Sequence, residues 1–224
     1  MPAPSTSPHQ DSHNKRERRK EARPGELLQA ALELFVEKGY AATRAEEVAT
    51  RAGVSKGTLF LYFSSKEDLF KAVIQSNLSR HLMAWNQEFE GFEGSSADML
   101  AYGLTSWWTQ IGSTLAGGIT KLVMSEARNF PEIASFYERE VVKPGQHLIE
   151  RILQRGIDRG EFRPMDVHHA CMSLVCAMMY LMMWKHALGP CSATSPSFDP
   201  ETFLLTHLNT LLNGFRHPPP SGTL

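Results

Sequence analysis

Cysteine is scarce in this chain of 224 residues. The three present, Cys171, Cys176 and Cys191, are too few and too irregularly spaced for a disulfide framework or a CxxC zinc site. Long apolar runs are also missing. The strongest, Ala170 to Trp184, covers fifteen residues and includes Ser173, short of the roughly twenty that span a bilayer. The first residues are rich in Pro, Ser, His and Asn ahead of a charged run, which is not the pattern of a secretory signal. No segment sustains the period-two alternation of a half-buried strand, and no stretch repeats at 20–50 residues. There is no GxSxG, P-loop or HExxH. Adjacent carboxylates such as Glu46 and Glu47 point in different directions on a helix, so they make no acid–base pair. These absences predict an all-α, soluble, cytoplasmic protein that is not an enzyme and needs neither membrane nor cofactor.

A basic excess is absent too. Twenty-three Lys and Arg face twenty-four Asp and Glu, a net charge of −1, whereas nucleic-acid binders commonly carry a basic surplus. The total averages two unlike parts. Residues 1–80 hold thirteen basic and ten acidic side chains, and residues 81–224 hold ten and fourteen, so the chain is electrically divided.

What is present is helical punctuation. Residues 1–23 read as a disordered tail ending in a basic arm, Lys15-Arg16-Glu17-Arg18-Arg19-Lys20. Pro24 suits a first helical turn, and Leu27, Leu28, Ala31, Leu34 and Phe35 form one apolar stripe up to a C-cap at Gly39. Thr43, with Glu46 three residues on, predicts the N-cap of a short second helix ending at Gly53. Ser55 predicts the cap of a third over Lys56–Phe63. Ser65 starts a fourth that stays apolar on one side to about Glu90, with Glu67 and Asp68 in its first turn. Beyond a Gly/Ser-rich stretch at 91–96, helices are expected at 97–112, 115–129, 131–159 (kinked or broken near Pro144), 166–187 and 200–214. Gly189, Pro190, Pro196 and Pro200 mark a loop, and 216–224 reads as a frayed tail.

Two short helices joined at Gly53, packed behind a longer one, are laid out as a helix-turn-helix DNA-binding unit. Leu27-Leu28-Gln29-Ala30-Ala31-Leu32-Glu33-Leu34-Phe35, followed by Gly39-Tyr40-Ala41-Ala42-Thr43, resembles the opening helix and turn of TetR-family repressors. Ala52-Gly53-Val54-Ser55-Lys56-Gly57-Thr58-Leu59-Phe60-Leu61-Tyr62-Phe63-Ser64-Ser65-Lys66-Glu67-Asp68-Leu69 resembles that family's recognition helix and the start of its linking helix. The resemblance implies an N-terminal DNA-binding domain over 24–70 and a larger helical ligand-binding and dimerisation domain over 71–215. It also implies a homodimer on a palindromic double-stranded operator, released when a small molecule binds.

On that reading Lys56, Thr58 and Tyr62 reach base edges or phosphates, and Gly57 admits the DNA backbone. Thr43 and Arg44, and likewise Lys66, stand at helix N-termini suited to a phosphate. Ser55 caps first and contacts second; Leu59 and Phe63 face the core. Phe60 and Leu61 depart from the polar residues many relatives carry there, leaving packing on sugar or contact with a thymine methyl. A helical interaction module that has lost operator binding is the alternative those two residues favour.

Further on, Ser125-Glu126-Ala127-Arg128-Asn129-Phe130-Pro131-Glu132 and Arg155-Gly156-Ile157-Asp158-Arg159-Gly160-Glu161-Phe162 resemble a common regulatory domain of the family. Trp107, Trp108, Ile111, Met124, Phe130, Met172 and Met179 are the candidate pocket residues; any single one reads better as core, while some of the set are expected to line a cavity. Their Met and aromatic character suits an apolar or aromatic effector. The last two helices, with Met178, Leu181, Met182, Leu205, Leu208 and Leu212, carry more apolar surface than one buried side needs, which predicts a dimer interface. A metal or redox sensor built on His168, His169, Cys171, Cys176 and His186 is the rival reading of that half.

Overall fold

A computed structural model of the protein describes residues 24–191 and 198–215. The expected tails, with the basic arm, and Pro196 of the expected loop lie outside the described residues. Every regular element among those described is helical. The chain divides into two compact units, with the boundary between Val73 and Ile74.

The first unit holds α1 (24–38), α2 (Ala45–Arg51), α3 (Lys56–Tyr62) and most of α4 (Lys66–Ile74). Its core is Leu27, Ala31, Leu34 and Phe35 of α1, Val48 and Ala49 of α2, Leu59 of α3, and Leu69, Phe70 and Val73 of α4. Leu28, expected in the stripe, is only half-buried, while Ala30 and Leu32 are buried in its place. Phe35, Tyr40 and Phe70 meet with ring centroids 4.8 to 5.7 Å apart, a geometry that adds to the burial of three large rings. Gly39 and Gly53 end α1 and α2 at φ of 87° and 68°, the left-handed region that glycine enters without cost.

Thr43 is not the cap of α2. Gly39 turns the chain back beneath α1, and this presses Thr43, 1% exposed, against open carbonyls of the preceding turn. Its hydroxyl lies 2.7 Å from the carbonyl oxygen of Gly39 and 3.1 Å from that of Leu34. The cap falls one residue later, on Arg44, whose backbone N–H donates to Glu47 at 3.2 Å. Ser55 and Ser65 do accept from the backbone N–H of Thr58 and Asp68.

The second unit contains α5 (Arg80–Glu90), α6 (Ser96–Trp107), α7 (Gly117–Glu126), α8 (Pro131–Tyr137), α9 (Lys143–Asp158), α10 (Val167–Met183) and α11 (Pro200–Phe215). Single π-turns sit at Gln75–Ser79, Trp108–Gly112, Glu138–Val142 and Trp184–Leu188. The expected break near Pro144 is such a turn, directly ahead of α9. Pro144 has no N–H for the carbonyl four residues back, that of Glu140. The buried Ser79 hydroxyl donates to that carbonyl at 3.3 Å.

Arg155 holds the 91–96 stretch. Its guanidinium donates to the carbonyls of Phe92 and Gly94 and to Ser96 Oγ, at 2.9 to 3.1 Å. Glu161 completes the link by accepting from the Ser96 N–H. The Phe162 ring, 1% exposed, covers Gly156, and the N–H groups of Glu161 and Phe162 both donate to the Gly156 carbonyl. A Cβ on residue 156 would stand 2.1 Å from Phe162 Cδ2. Gly156→Ala is therefore expected to lower stability by roughly 1–3 kcal/mol in denaturant titration, with part of the loss recovered by adding Phe162→Leu.

Candidate nucleic-acid interface and effector cavity

Helix α3 has two sides. Leu59, fully buried, fastens it to the unit, while Lys56, Gly57, Phe60, Leu61 and Tyr62 are exposed, Leu61 by 83%. Thr58 is half-buried, its hydroxyl 2.9 Å from Ser55 Oγ. Phe63, expected in the core, is half-buried as the C-cap. At Gly57 an added Cβ would meet only Ser55 Oγ, at 3.8 Å. Among the described residues nothing requires glycine there. Lys56 Nζ lies 2.5 Å from Glu46 Oε1 and 5.7 Å from the centre of the Phe60 ring. Hydrogen bonding to Lys56 holds the Glu46 carboxyl below its ordinary range. Arg44 is exposed at the start of α2.

Lys66 begins α4, as expected, but its side chain turns back to the α1–α2 turn. Its ammonium donates to the carbonyls of Tyr40, Ala41 and Thr43 at 2.9, 3.3 and 3.2 Å and sits 4.5 Å from the Tyr40 ring centre. Three donors meet three carbonyls, so the residue ties the α1–α2 turn to the start of α4 and does not aim a charge outward. Burial, with Glu67 and Asp68 nearby, pushes the Tyr40 hydroxyl up to about 12.

The charge of the first unit also differs from expectation. Residues 24–73 carry six basic and seven acidic side chains, so the surplus of residues 1–80 belongs to 1–23. Lys38 pairs with Glu47, Arg51 with Glu37, Lys56 with Glu46 and Lys71 with Glu67, at 2.5 to 3.0 Å.

The second unit holds a partly open cavity of about 460 Å³. Of the predicted residues, Trp107, Ile111, Met124, Met172 and Met179 line it; Trp108 and Phe130 do not. Successive helical residues point about 100° apart; Trp107 turns to the cavity, while Trp108 is buried against Gly112. The sequence reading missed Trp85, Phe89, Tyr137, Met178 and Met182 as lining residues. Trp85 and Phe89 are visible in the apolar stripe of the fourth predicted helix, although a stripe does not distinguish a core from a cavity wall.

Four of the six residues singled out on the last two helices, Leu181, Met182, Leu208 and Leu212, are buried within this chain, and Leu205 is 53% exposed. Tyr180 and Leu188 are exposed as well. The helix Val167–Leu188 has 22 residues, a mean hydropathy of 1.4 and only 28% of its best window buried. By length and composition alone it could cross a membrane. The His/Cys set is dispersed: His168 contacts Glu150, His169 contacts Asp166, and the buried Cys171 thiol, raised to about 11 by burial, faces the Gln146 carbonyl. Among the described residues no three His, Cys, Asp or Glu are grouped to hold a metal. His186 Nε2 lies 3.0 Å from the Gly112 carbonyl, and burial holds its pKa below the ordinary 6.5.

Comparison with known proteins gives concordant matches. Residues 27–73 match the family model for bacterial regulatory proteins of the tetR family, and residues 93–192 match that for a tetracyclin repressor-like C-terminal domain. The chain is 31% identical over 149 residues to the HTH-type transcriptional regulator YfiR of Bacillus subtilis, covering 66% of this chain and 71% of that protein. It is 49% identical over 59 residues to the HTH-type transcriptional activator FasR of Mycolicibacterium smegmatis, covering 26% of this chain and 27% of FasR. The crystal structure of the transcriptional regulator FadR from Bacillus subtilis, in complex with stearoyl-CoA, superposes with a TM-score of 0.71 at 20% identity, covering 85% of this chain and 98% of FadR.

Glu46→Gln is expected to tighten DNA binding about two- to fivefold at low salt, with the gain fading as salt rises. Anisotropy titrations with a labelled duplex measure it. A separate prediction concerns pH. Because the folded pKa of His186 lies below its unfolded value, protons bind preferentially to the unfolded state as pH falls past 6.5. Stability is then lost on acidification. A His186→Gln variant is expected to lose less of its melting temperature than the wild type between about pH 7 and pH 5.

Proposed function

Since the chain belongs to the TetR family of bacterial transcriptional regulators, and is thereby a ligand-responsive DNA-binding regulator rather than a member of an enzyme class, we propose that it is a homodimeric repressor that leaves a palindromic operator when an apolar or aromatic effector occupies the cavity. The observation that carries the DNA-reading part is the outer side of α3. A helix anchored by one buried leucine exposes Lys56, Phe60, Leu61 and Tyr62 together, a surface that folding alone would not select. In the major groove, Lys56, Thr58 and Tyr62 supply polar contacts, Gly57 admits the DNA backbone, Phe60 packs on sugar and Leu61 meets a thymine methyl. Arg44 meets a phosphate at the start of α2 and Ser55 presets α3. Thr43 and Lys66 act from beneath, as positioning residues of the α1–α2 turn.

Dimerisation through α10 and α11 covers the Tyr180, Leu188 and Leu205 surface, which explains a 22-residue apolar helix left mostly unburied in one chain. That helix is then an interface element and not a membrane span, and the protein works in the cytoplasm, where the DNA is. The near absence of polar wall in the cavity supports an apolar effector, as does the hydrocarbon chain of the stearoyl-CoA in the FadR structure. Release follows if effector favours a dimer whose two reading helices no longer match successive turns of DNA.

Footprinting of the DNA upstream of the gene tests the reading. A protected palindrome is expected, and Lys56→Ala combined with Tyr62→Ala is expected to abolish protection. Binding that ignores salt and protects no palindrome would overturn it, because phosphate contacts release counterions. Function that survives the double substitution would favour the interaction-module alternative.

A further inference from the structure

Resting on the cavity as the effector site, we infer that the effector is an uncharged, mostly apolar molecule that presents an oxygen acceptor to the Thr120–Tyr137 hydroxyl pair. Thr120 of α7 and Tyr137 of α8 are 3% and 9% exposed, and both line the cavity. Their oxygens are 2.7 Å apart. Two hydroxyls bring two hydrogens, and the bond between them uses one. The other has no partner among the described residues, in a wall made almost entirely of hydrocarbon, sulfur and aromatic rings. A buried donor left unmade costs more than a made hydrogen bond contributes, so this one is reserved for something that enters. A second adaptable donor also lines the cavity. Gln146 Nε2 donates only to the Met172 thioether, at 3.5 Å, a weak acceptor that an oxygen would displace.

The charge of the ligand follows from what surrounds that pair. Among the described residues no Lys, Arg or His lines the cavity. Its one acidic lining residue, Glu138, is exposed and pairs with Lys143 at 3.3 Å. An anionic group beside Tyr137 would lose its water and gain no counter-charge. A cationic group would find only the Glu138 carboxylate, which is exposed and already paired with Lys143. Burial pushes the Tyr137 hydroxyl up to about 12, so the pair stays a neutral donor at any physiological pH. A ketone, ester or alcohol oxygen on an apolar skeleton meets all these conditions.

Three probes of nearly one shape separate the possibilities: 2-acetylnaphthalene, 2-naphthoate and 2-ethylnaphthalene, titrated calorimetrically into the full-length protein. In the wild type the ketone is expected to bind at least about tenfold tighter than the carboxylate. Thr120→Val combined with Tyr137→Phe keeps the shape and removes both hydroxyls. It is expected to weaken the ketone about tenfold while shifting the hydrocarbon no more than about twofold. Equal binding of ketone and carboxylate by the wild type overturns the inference and needs no variant to show it. A variant that weakens ketone and hydrocarbon alike, or neither, also overturns it while leaving the cavity as an effector site. Failure of all three probes to bind overturns the cavity reading and the inference with it.

Discussion

One ammonium group organises the DNA-reading unit. Lys66, at the first position of α4, gathers three carbonyls of the α1–α2 turn and lies over the Tyr40 ring. Tyr40 in turn packs on Phe35 and Phe70, and Thr43 closes the turn from below through its hydroxyl. The angle at which α2 leaves α1 is thereby set, and α3, held by Leu59 alone among its fully buried residues, inherits its direction from α2. A seven-residue helix cannot hold its own position in water. Its precision is borrowed from this turn.

The second unit solves an opposite problem, since it must remain open inside. Its helices are interrupted by π-turns, and three of these place residues on the cavity wall: Leu78, Ile111, and the Glu138–Val142 segment. A π-turn inserts one residue into the helical count and re-aims everything after it. Helices that would otherwise close on one another along a single stripe are thus given walls that face inward at more than one bearing. The Ser79 hydroxyl on the Glu140 carbonyl shows how the irregular backbone next to Pro144 is kept satisfied.

Much of this was legible from residue patterns, and the parts that were not have a common cause. Helix starts at Ser55 and Ser65 and ends at Gly39 and Gly53 follow from local chemistry that acts within four residues, and so does the all-α class. Thr43 and Lys66 were misplaced because their partners are tertiary. A threonine ahead of a helix looks like a cap until Gly39 folds α1 back over it, and a lysine at an N-terminus looks outward until a turn 25 residues earlier supplies carbonyls. The pocket was half visible for the same reason: Trp107 and Trp108 are equivalent in composition, and only the bearing of α6 separates them. The motif around Gly156 resembled the family's regulatory domain, but its purpose, a glycine roofed by Phe162 beside an arginine clamp, needed the packing.

The pairing of Lys56 with Glu46 bears on how such a protein searches a genome. On the proposed reading, in which Lys56 meets DNA, a phosphate must displace that carboxylate and then tolerate it close by. Only a site where several neighbouring contacts form at once can make the exchange favourable. On that reading the four-helix unit, with slightly more acid than base, offers little charge to DNA that does not fit it. Its discrimination would then come as much from what it withholds at wrong sequences as from what it offers at the right one.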